Sequence, residues 1–109
     1  MLEQQFASAT TQRFLQVSEG FGYTWDAGQP FGRKVVPGSL VLNGRTIGAD
    51  DTLRVTVNSF LAAGGDGFTP LTKGRDARTG LIDVDALERY VATHPNLQPP
   101  ATPRVRRLN

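Results

Sequence analysis

An alternating aromatic stretch, FGYTWD at Phe21–Asp26, is the feature that most constrains the fold of this chain. Every second residue of this stretch is aromatic: Phe21, Tyr23 and Trp25. In a β-strand, a period of two places all three rings on the same face. We therefore expect one face of this strand to be buried and the other to be small or polar. A chain of 109 residues is long enough for one domain, which buries roughly two thirds of the surface that its unfolded chain exposes.

Other stretches also predict β-structure. Thr52–Asn58 alternates apolar and polar residues and has the clearest strand pattern in the chain. Arg33–Gly44 is rich in β-formers, but Pro37 interrupts it, which predicts a bulge or an edge position. Asn43-Gly44 supplies the residues with positive φ that a tight hairpin turn needs. A short apolar run at Arg13–Val17 is also strand-like.

Helices are predicted at both ends of the chain. Leu2 and Phe6 are four residues apart with helix formers between them, as at the end of an amphipathic helix. A later helix begins near Asp83, ends at His94, and has three apolar residues on one face: Val84, Leu87 and Val91. This order of elements predicts an α+β domain, in which an antiparallel or mixed β-sheet packs with an N-terminal and a C-terminal helix.

Composition restricts the classes of function. The chain has 12 Lys and Arg against 10 Asp and Glu, and the charges are scattered, so no nucleic-acid-binding face is expected. Cysteine is absent, which excludes disulfides and thiol chemistry. No apolar run reaches the length of a membrane span, and no signal peptide begins the chain. The proline- and arginine-rich residues 95–109 are predicted to form an extended or disordered tail after a domain at residues 1–94.

Catalytic machinery is not evident in the sequence. The chain has one histidine, His94, which is interpreted as a cap on the carbonyl groups at a helix end. Asp50-Asp51 and the acidic residues at the start of the later helix are interpreted as turn and helix-start residues. The charged loop Thr72–Gly80 can approach an anion but is more simply a solvated loop. We therefore predict no catalytic residue and no metal site within this chain.

The stretch SFLAAGGDGF, Ser59–Phe68, is the one segment whose composition suggests a site. Its glycines permit positive φ and close approach of a ligand to the backbone, and they present Asp66 on a loop. Asp66 could accept hydrogen bonds from two hydroxyl groups, and Phe60 could offer a flat face to a nucleobase. The alternative is that Phe60 and Phe68 belong to the core and that Asp66 bonds its own loop backbone.

Three segments together resemble a known family. RFLQVSEGFGYTWD, LVLNGRTIGADDTLRVTVNSFLAAGGDGFTPL and GLIDVDALERYV occur in this order and at spacings similar to those in the carboxyl-terminal domain of the 5'-nucleotidase family. That family includes bacterial UDP-sugar hydrolases and 2',3'-cyclic nucleotide phosphodiesterases. The resemblance runs from about Leu2 to Val91, and its most specific part is the block from Asn58 to Phe68.

The resemblance implies that this chain is the substrate-binding part of a two-domain enzyme, truncated on its N-terminal side. It implies that Phe60 stacks on the base of a nucleoside or nucleotide and that Asp66 binds the ribose hydroxyls. The missing N-terminal metallophosphoesterase domain is expected to hold two divalent metal ions, and the parent enzyme is expected to be exported from the cytoplasm. The chain alone is then not expected to hydrolyse nucleotides.

Two further points qualify this expectation. The other aromatic residue that stacks on the base in the family, and an Arg and an Asn that help to bind substrate, would lie before residue 1. Glu19-Gly20 stands where the family more often has Ser-Gly.

An alternative function of a different class is a non-enzymatic module that keeps the scaffold but binds protein or cell wall. In that case Asp66 only forms its loop.

Overall fold

The computed structural model describes residues 1–8, 10 and 14–109 of the chain. Within these residues the strands are β1 (Phe21–Asp26), β2 (Val41–Leu42), β3 (Arg45–Thr46) and β4 (Val105–Leu108). The described strands form a sheet in the order β3-β2-β1-β4. β1 pairs antiparallel with β2, and β2 with β3, whereas β1 and β4 are parallel. The fold is α+β with a mixed sheet, which confirms the predicted fold class.

The helices are short in the first two thirds of the chain. Three of them are 3-10 helices, at Leu2–Phe6, Gly65–Gly67 and Thr69–Lys73. The α-helices of the described residues are α1 (Ser59–Ala62) and α2 (Asp83–Thr93). Within the described chain, none of the helices has the length and apolar character needed to cross a membrane.

The core lies between the first 3-10 helix and β1. Leu2 and Phe6 pack against Tyr23 and Trp25, and all four side chains are buried. The rings of Phe6 and Trp25 lie 4.8 Å apart between centroids. Gln5 is buried among them and donates from Nε2 to the Tyr23 hydroxyl over 2.9 Å, which satisfies a polar group that would otherwise be costly to bury. The alternating aromatics of β1 therefore build the core as predicted.

The hairpin at Asn43-Gly44 is confirmed. Asn43 and Gly44 have φ values of 49° and 81°, as a tight turn between β2 and β3 requires. Before Pro37, Val35 forms an isolated bridge with Trp25, and the strand of this stretch, β2, begins only after Pro37, at Val41. This bridge is consistent with the irregular position that Pro37 predicted.

The strand expected at Arg13–Val17 is not formed by Phe14–Val17, and Arg13 lies outside the described residues. Side chains replace the strand partner for this backbone. The Leu15 N–H donates to Gln5 Oε1 over 3.1 Å, and the Val17 carbonyl accepts from Arg104 Nη1 over 2.9 Å. Because side chains satisfy these backbone groups, the segment covers the core without joining the sheet.

The strand predicted at Thr52–Asn58 is also absent, although its pattern was the clearest in the sequence. Within the described part of the chain, the backbone of residues 52–57 makes no hydrogen bond. A strand exists only as part of a ladder, so an alternating pattern without a partner leaves the backbone irregular.

The last residues join the sheet as β4, which the sequence did not indicate. The Tyr23 N–H donates to the Arg104 carbonyl over 3.1 Å, and the Ala27 N–H donates to the Leu108 carbonyl over 3.0 Å. Asn109 Nδ2 donates to Asp26 Oδ1 over 3.1 Å beyond the end of β4. The boundary between a domain at residues 1–94 and a tail at residues 95–109 stays a prediction, and within the tail Val105–Leu108 is extended and paired.

Helix α2 forms where it was predicted, but its surroundings differ from expectation. Asp83 is the first helical residue rather than the N-cap, which is Ile82, and Asp83 Oδ1 accepts from the Val84 N–H over 2.8 Å. Every residue from Thr72 to Pro103 is exposed, including the apolar face of α2. The helix therefore lies outside the core that the first 3-10 helix and β1 share.

Candidate functional site

The candidate site is the loop from Ser59 to Phe68, and a capped helix opens it. Asn58 has an extended conformation, and its Oδ1 accepts from the Leu61 N–H over 2.9 Å, which satisfies one of the free donors at the start of α1. Gly64, with a φ of 87°, follows the last residues of α1 and turns the chain away. The glycine doublet of the sequence thus ends a one-turn helix and redirects the backbone.

The far side of the loop is anchored by Phe68. This side chain is 2% exposed, and its N–H donates to the Gly65 carbonyl over 3.1 Å. The 3-10 helix at Thr69–Lys73 follows directly, with Pro70 in its first turn, where the missing N–H has no partner to lose. Phe68 therefore holds the loop in place as a core residue.

Phe60 behaves differently from Phe68. Its ring is 58% exposed and lies over the backbone of Gly65, where a Cβ atom would stand 2.5 to 2.6 Å from three ring atoms. Real Cβ atoms do not approach other heavy atoms so closely, so a side chain at position 65 would require the Phe60 ring to move. Phe60 is thus a solvent-facing ring seated on a bare backbone. The alternative that both phenylalanines belong to the core holds for Phe68 alone.

Asp66 lies on the turn next to this glycine. It is exposed and has a φ of 55°, in the left-handed region that Asp tolerates better than most residues with a Cβ. Asp66 also takes part in an interaction within the chain. Gly67 follows with a φ of 81°, so two consecutive left-handed residues form the turn that carries this carboxyl group. The roles of Phe60 and Asp66 in binding stay predictions.

The other residues singled out in the sequence have structural roles. His94 follows α2 and donates from Nδ1 to the Tyr90 carbonyl over 2.8 Å, which confirms its interpretation as a helix-end cap. Asp51 accepts from the Gly48 N–H over 2.9 Å and forms an ion pair with Arg45. The backbone hydrogen bond from Gly48, followed by the charge of Arg45, lowers the pKa of Asp51. Asp51 is therefore a turn residue, as expected.

The charged loop Thr72–Gly80 is exposed throughout. Among the described residues, no group of three His, Asp or Glu side chains is arranged to hold a metal ion. The two divalent ions that the resemblance implies therefore stay a prediction for the N-terminal domain, since the described residues offer no ligand set for them.

A second concave feature lies away from the candidate loop. A cavity of about 620 Å³ opens between residues 14–17 and the tail at residues 100–107, beside Trp25. It shares no lining residue with Ser59–Phe68. Its walls come from segments far apart in sequence, so no local pattern could have indicated it.

The contact between Phe60 and Gly65 was likewise missed from the sequence. The glycines were interpreted as turn residues that allow a ligand to approach the backbone, whereas the group that approaches Gly65 is the Phe60 ring of the chain itself. The sequence indicated the loop, and the structure assigns Gly65 a specific neighbour in it.

Comparison with known proteins places this loop in a family. Residues 1–73 match the family described as 5'-nucleotidase, C-terminal domain, and this range contains both Phe60 and Asp66. A segment of 54 residues is 39% identical to a 5'-nucleotidase from Vibrio cholerae serotype O1 (strain ATCC 39315 / El Tor Inaba N16961). That segment is 49% of this chain and spans only 10% of the length of that relative. No solved structure matches the chain significantly. Because the family match covers most of the chain, the chain belongs to the 5'-nucleotidase C-terminal domain family.

Proposed function

We propose that this chain is the nucleoside-binding part of a metal-dependent phosphohydrolase that acts on nucleotides. The observation that carries the proposal is the arrangement of one loop within the family match: an exposed ring seated on Gly65, and an exposed carboxylate on the neighbouring residue. An aromatic plane and an acceptor of hydroxyl hydrogen bonds are the two groups that recognise a base and its ribose.

Phe60 supplies the stacking surface in this proposal. Its ring keeps one side against the Gly65 backbone and leaves more than half of its surface to solvent. A base that stacks on the open side gains roughly 1 to 3 kcal/mol.

Asp66 supplies the ribose contact. An ionised carboxylate accepts through both oxygens, which have about four acceptor positions in total, so it can take two hydroxyl donors beside an existing interaction. Hydrogen bonds to a charged acceptor are worth roughly 1.5 to 3 kcal/mol each. The carboxylate thereby selects a nucleoside with free ribose hydroxyls, and together with Phe60 it orients the phosphate away from the loop.

The reaction itself belongs to another part of the parent chain. We propose that an N-terminal metallophosphoesterase domain holds two divalent ions that activate water, and that the parent enzyme works outside the cytoplasm. The chain of 109 residues alone binds nucleosides weakly and hydrolyses nothing.

The test uses a longer chain that includes the upstream reading frame, with AMP as substrate and a divalent metal present. Phe60→Ala is expected to raise KM by about 5- to 100-fold, the loss of one stacking contact, while kcat changes little. Phe31→Ala is the matched control, because Phe31 is a similarly exposed ring outside the loop. Equal KM values for the two variants would contradict the proposal, and absence of hydrolysis by the longer chain would favour the non-enzymatic module.

A further inference from the structure

The stretch from Thr52 to Val57 has the pattern of a strand but no partner. Leu53, Val55 and Val57 alternate with polar residues, and no hydrogen bond involves this backbone within the described chain. Val55 is about half exposed. Open N–H and C=O groups along an alternating segment are a template for strand addition.

The apolar side of helix α2 is also exposed. Its apolar side and the residues flanking it keep between 46% and 66% of their surface exposed: Leu81, Ile82, Val84, Leu87, Tyr90, Val91 and Leu97. A helix of 11 residues is marginal in water by itself, and most helices are stabilised by packing of their apolar face. The face of α2 therefore lacks the surface against which it would normally pack.

The total surface of the chain gives the size of the missing cover. A folded monomer of 11.8 kDa is expected to expose about 5,900 Å², whereas this chain exposes 8642 Å². The excess of about 2,700 Å² is as large as one side of an extensive permanent interface. Scattered surface residues do not produce an excess of this size, so a substantial piece of polypeptide is needed to cover it.

We infer that a preceding segment of the same parent chain adds a β-strand to residues 52–57 and supplies the apolar surface that covers α2. This inference rests on the proposed function, in which the chain is one part of a longer enzyme. Residues 52–57 lie inside the family match, and we expect their strand partner in the same domain. The Vibrio cholerae relative is about ten times as long as its matched segment, so such polypeptide exists in a related protein.

A segment of the same chain also has an advantage over a second copy. It is tethered at an effective concentration of about millimolar, so it covers the surface without depending on protein concentration. A second copy would have the same unpaired stretch and the same exposed helix, and it would bury them only above its dissociation constant.

Hydrogen-exchange mass spectrometry on the 109-residue chain and on the longer chain tests the inference. Amides of residues 53–57 and 84–91 are expected to exchange rapidly in the short chain and about 100-fold or more slowly in the longer chain, because paired amides exchange only through opening. In the longer chain, Val55→Asp is expected to remove the protection of residues 53–57, whereas Thr56→Asp on the other face retains it. On α2, Leu87→Asp is likewise expected to remove the protection of residues 84–91, whereas Arg89→Asp on the other face retains it.

Equal exchange in the two chains overturns the inference. The inference is also overturned if protection of the short chain from exchange rises with its concentration and light scattering gives the mass of a dimer. In that case a second copy of the chain covers the exposed surface. Hydrolysis of AMP is measured on the same longer chain. Hydrolysis without protection overturns this inference and leaves the proposed function intact, whereas protection without hydrolysis overturns the proposed function alone.

Discussion

The Phe60 ring and the Gly65 backbone are in direct contact, so that a side chain at position 65 would require the ring to move. A Cβ there would stand 2.5 Å from Cε1 and 2.6 Å from both Cδ1 and Cζ of Phe60. Gly65 has an ordinary negative or extended backbone conformation, so the requirement for glycine arises from the ring rather than from φ. The glycine therefore determines where the exposed ring stands.

Gly65→Ala tests whether this contact positions the ring for binding. The added methyl group is expected to displace the ring and to raise KM for AMP in the longer chain by roughly 5- to 20-fold, part of the value of a stacking contact, with kcat nearly unchanged. In a Phe60→Ala background, the same substitution should change KM by less than about twofold, because the clash is gone. Steady-state kinetics of the unchanged chain, the two single variants and the double variant measures this double-mutant cycle.

Gly80→Ala is the control for the Gly65 cycle. A Cβ at position 80 meets nothing within 4 Å and the residue has no positive φ, so kinetics and stability should stay at the parent values. A similar rise in KM from Gly65→Ala in the unchanged chain and in the Phe60→Ala variant would contradict the prediction. It would show that Gly65 affects the conformation of the loop rather than the position of the ring.

The conformation of Asp66 predicts a difference between two substitutions. Its φ of 55° is tolerated by Asn but costs an alanine about 1 kcal/mol. Asp66→Asn is therefore expected to lower stability less than Asp66→Ala, while both raise KM by about 10-fold because a charged acceptor is lost. Thermal denaturation and KM for AMP separate the two effects. A KM for Asp66→Asn equal to that of the unchanged chain would remove Asp66 from the binding site.

The buried phenol of Tyr23 predicts how stability depends on alkaline pH. Burial raises the pKa of Tyr23 above its ordinary value of 10.0, and the hydrogen bond with Gln5 offsets part of this rise. A raised pKa in the folded state means that the neutral phenol is favoured by folding. Its contribution is fully present below pH 10 and is lost as pH rises through the folded-state pKa.

Tyr23→Phe should therefore lower the free energy of unfolding by about 1 to 2 kcal/mol at pH 8, because the buried Gln5 amide loses a partner. Its stability should then fall less steeply above pH 10 than that of the unchanged chain. Urea denaturation at several pH values measures both effects. Tyr90→Phe, which removes a hydroxyl group from an exposed ring, is the control. Parallel curves for Tyr23→Phe and the unchanged chain would contradict the prediction.

Strand β4 offers a matched pair of arginines. The Arg107 guanidinium lies 5.3 Å from the centroid of the Trp25 ring, whereas the neighbouring Arg106 points to the other face of the strand. Arg107→Ala is expected to lower the free energy of unfolding by about 0.5 to 1 kcal/mol, whereas Arg106→Ala should leave it nearly unchanged. The chain has one tryptophan, so denaturation followed by its fluorescence reports this site directly. Equal losses from the two variants would show that general charge, and not the ring contact, matters.

Several elements could be predicted because their determinants are local. The alternation of aromatics in β1, the Asn43-Gly44 turn and the periodicity of α2 each specify a conformation within a few residues. The candidate loop was also indicated by local composition. The assignments of Phe60 and Asp66 came from the family resemblance, and they stay predictions until ligand binding is measured.

Other elements could not be predicted because their partners are distant. The stretch at Thr52–Asn58 has the pattern of a strand without a strand beside it, whereas β4 has little strand pattern but finds β1 about eighty residues earlier. Strand formation depends on hydrogen bonds to another segment, and alternation along one segment does not reveal whether that other segment is present.

By itself the sequence determined the local conformations, the exclusion of thiol and histidine-triad chemistry, and the family to which the glycine-rich loop belongs. The tertiary structure alone decided that Phe68 is buried while Phe60 faces solvent over Gly65, and that the last residues complete the sheet. The physical reason is that burial and strand pairing depend on which other groups surround a residue in the folded chain, which local periodicity does not contain.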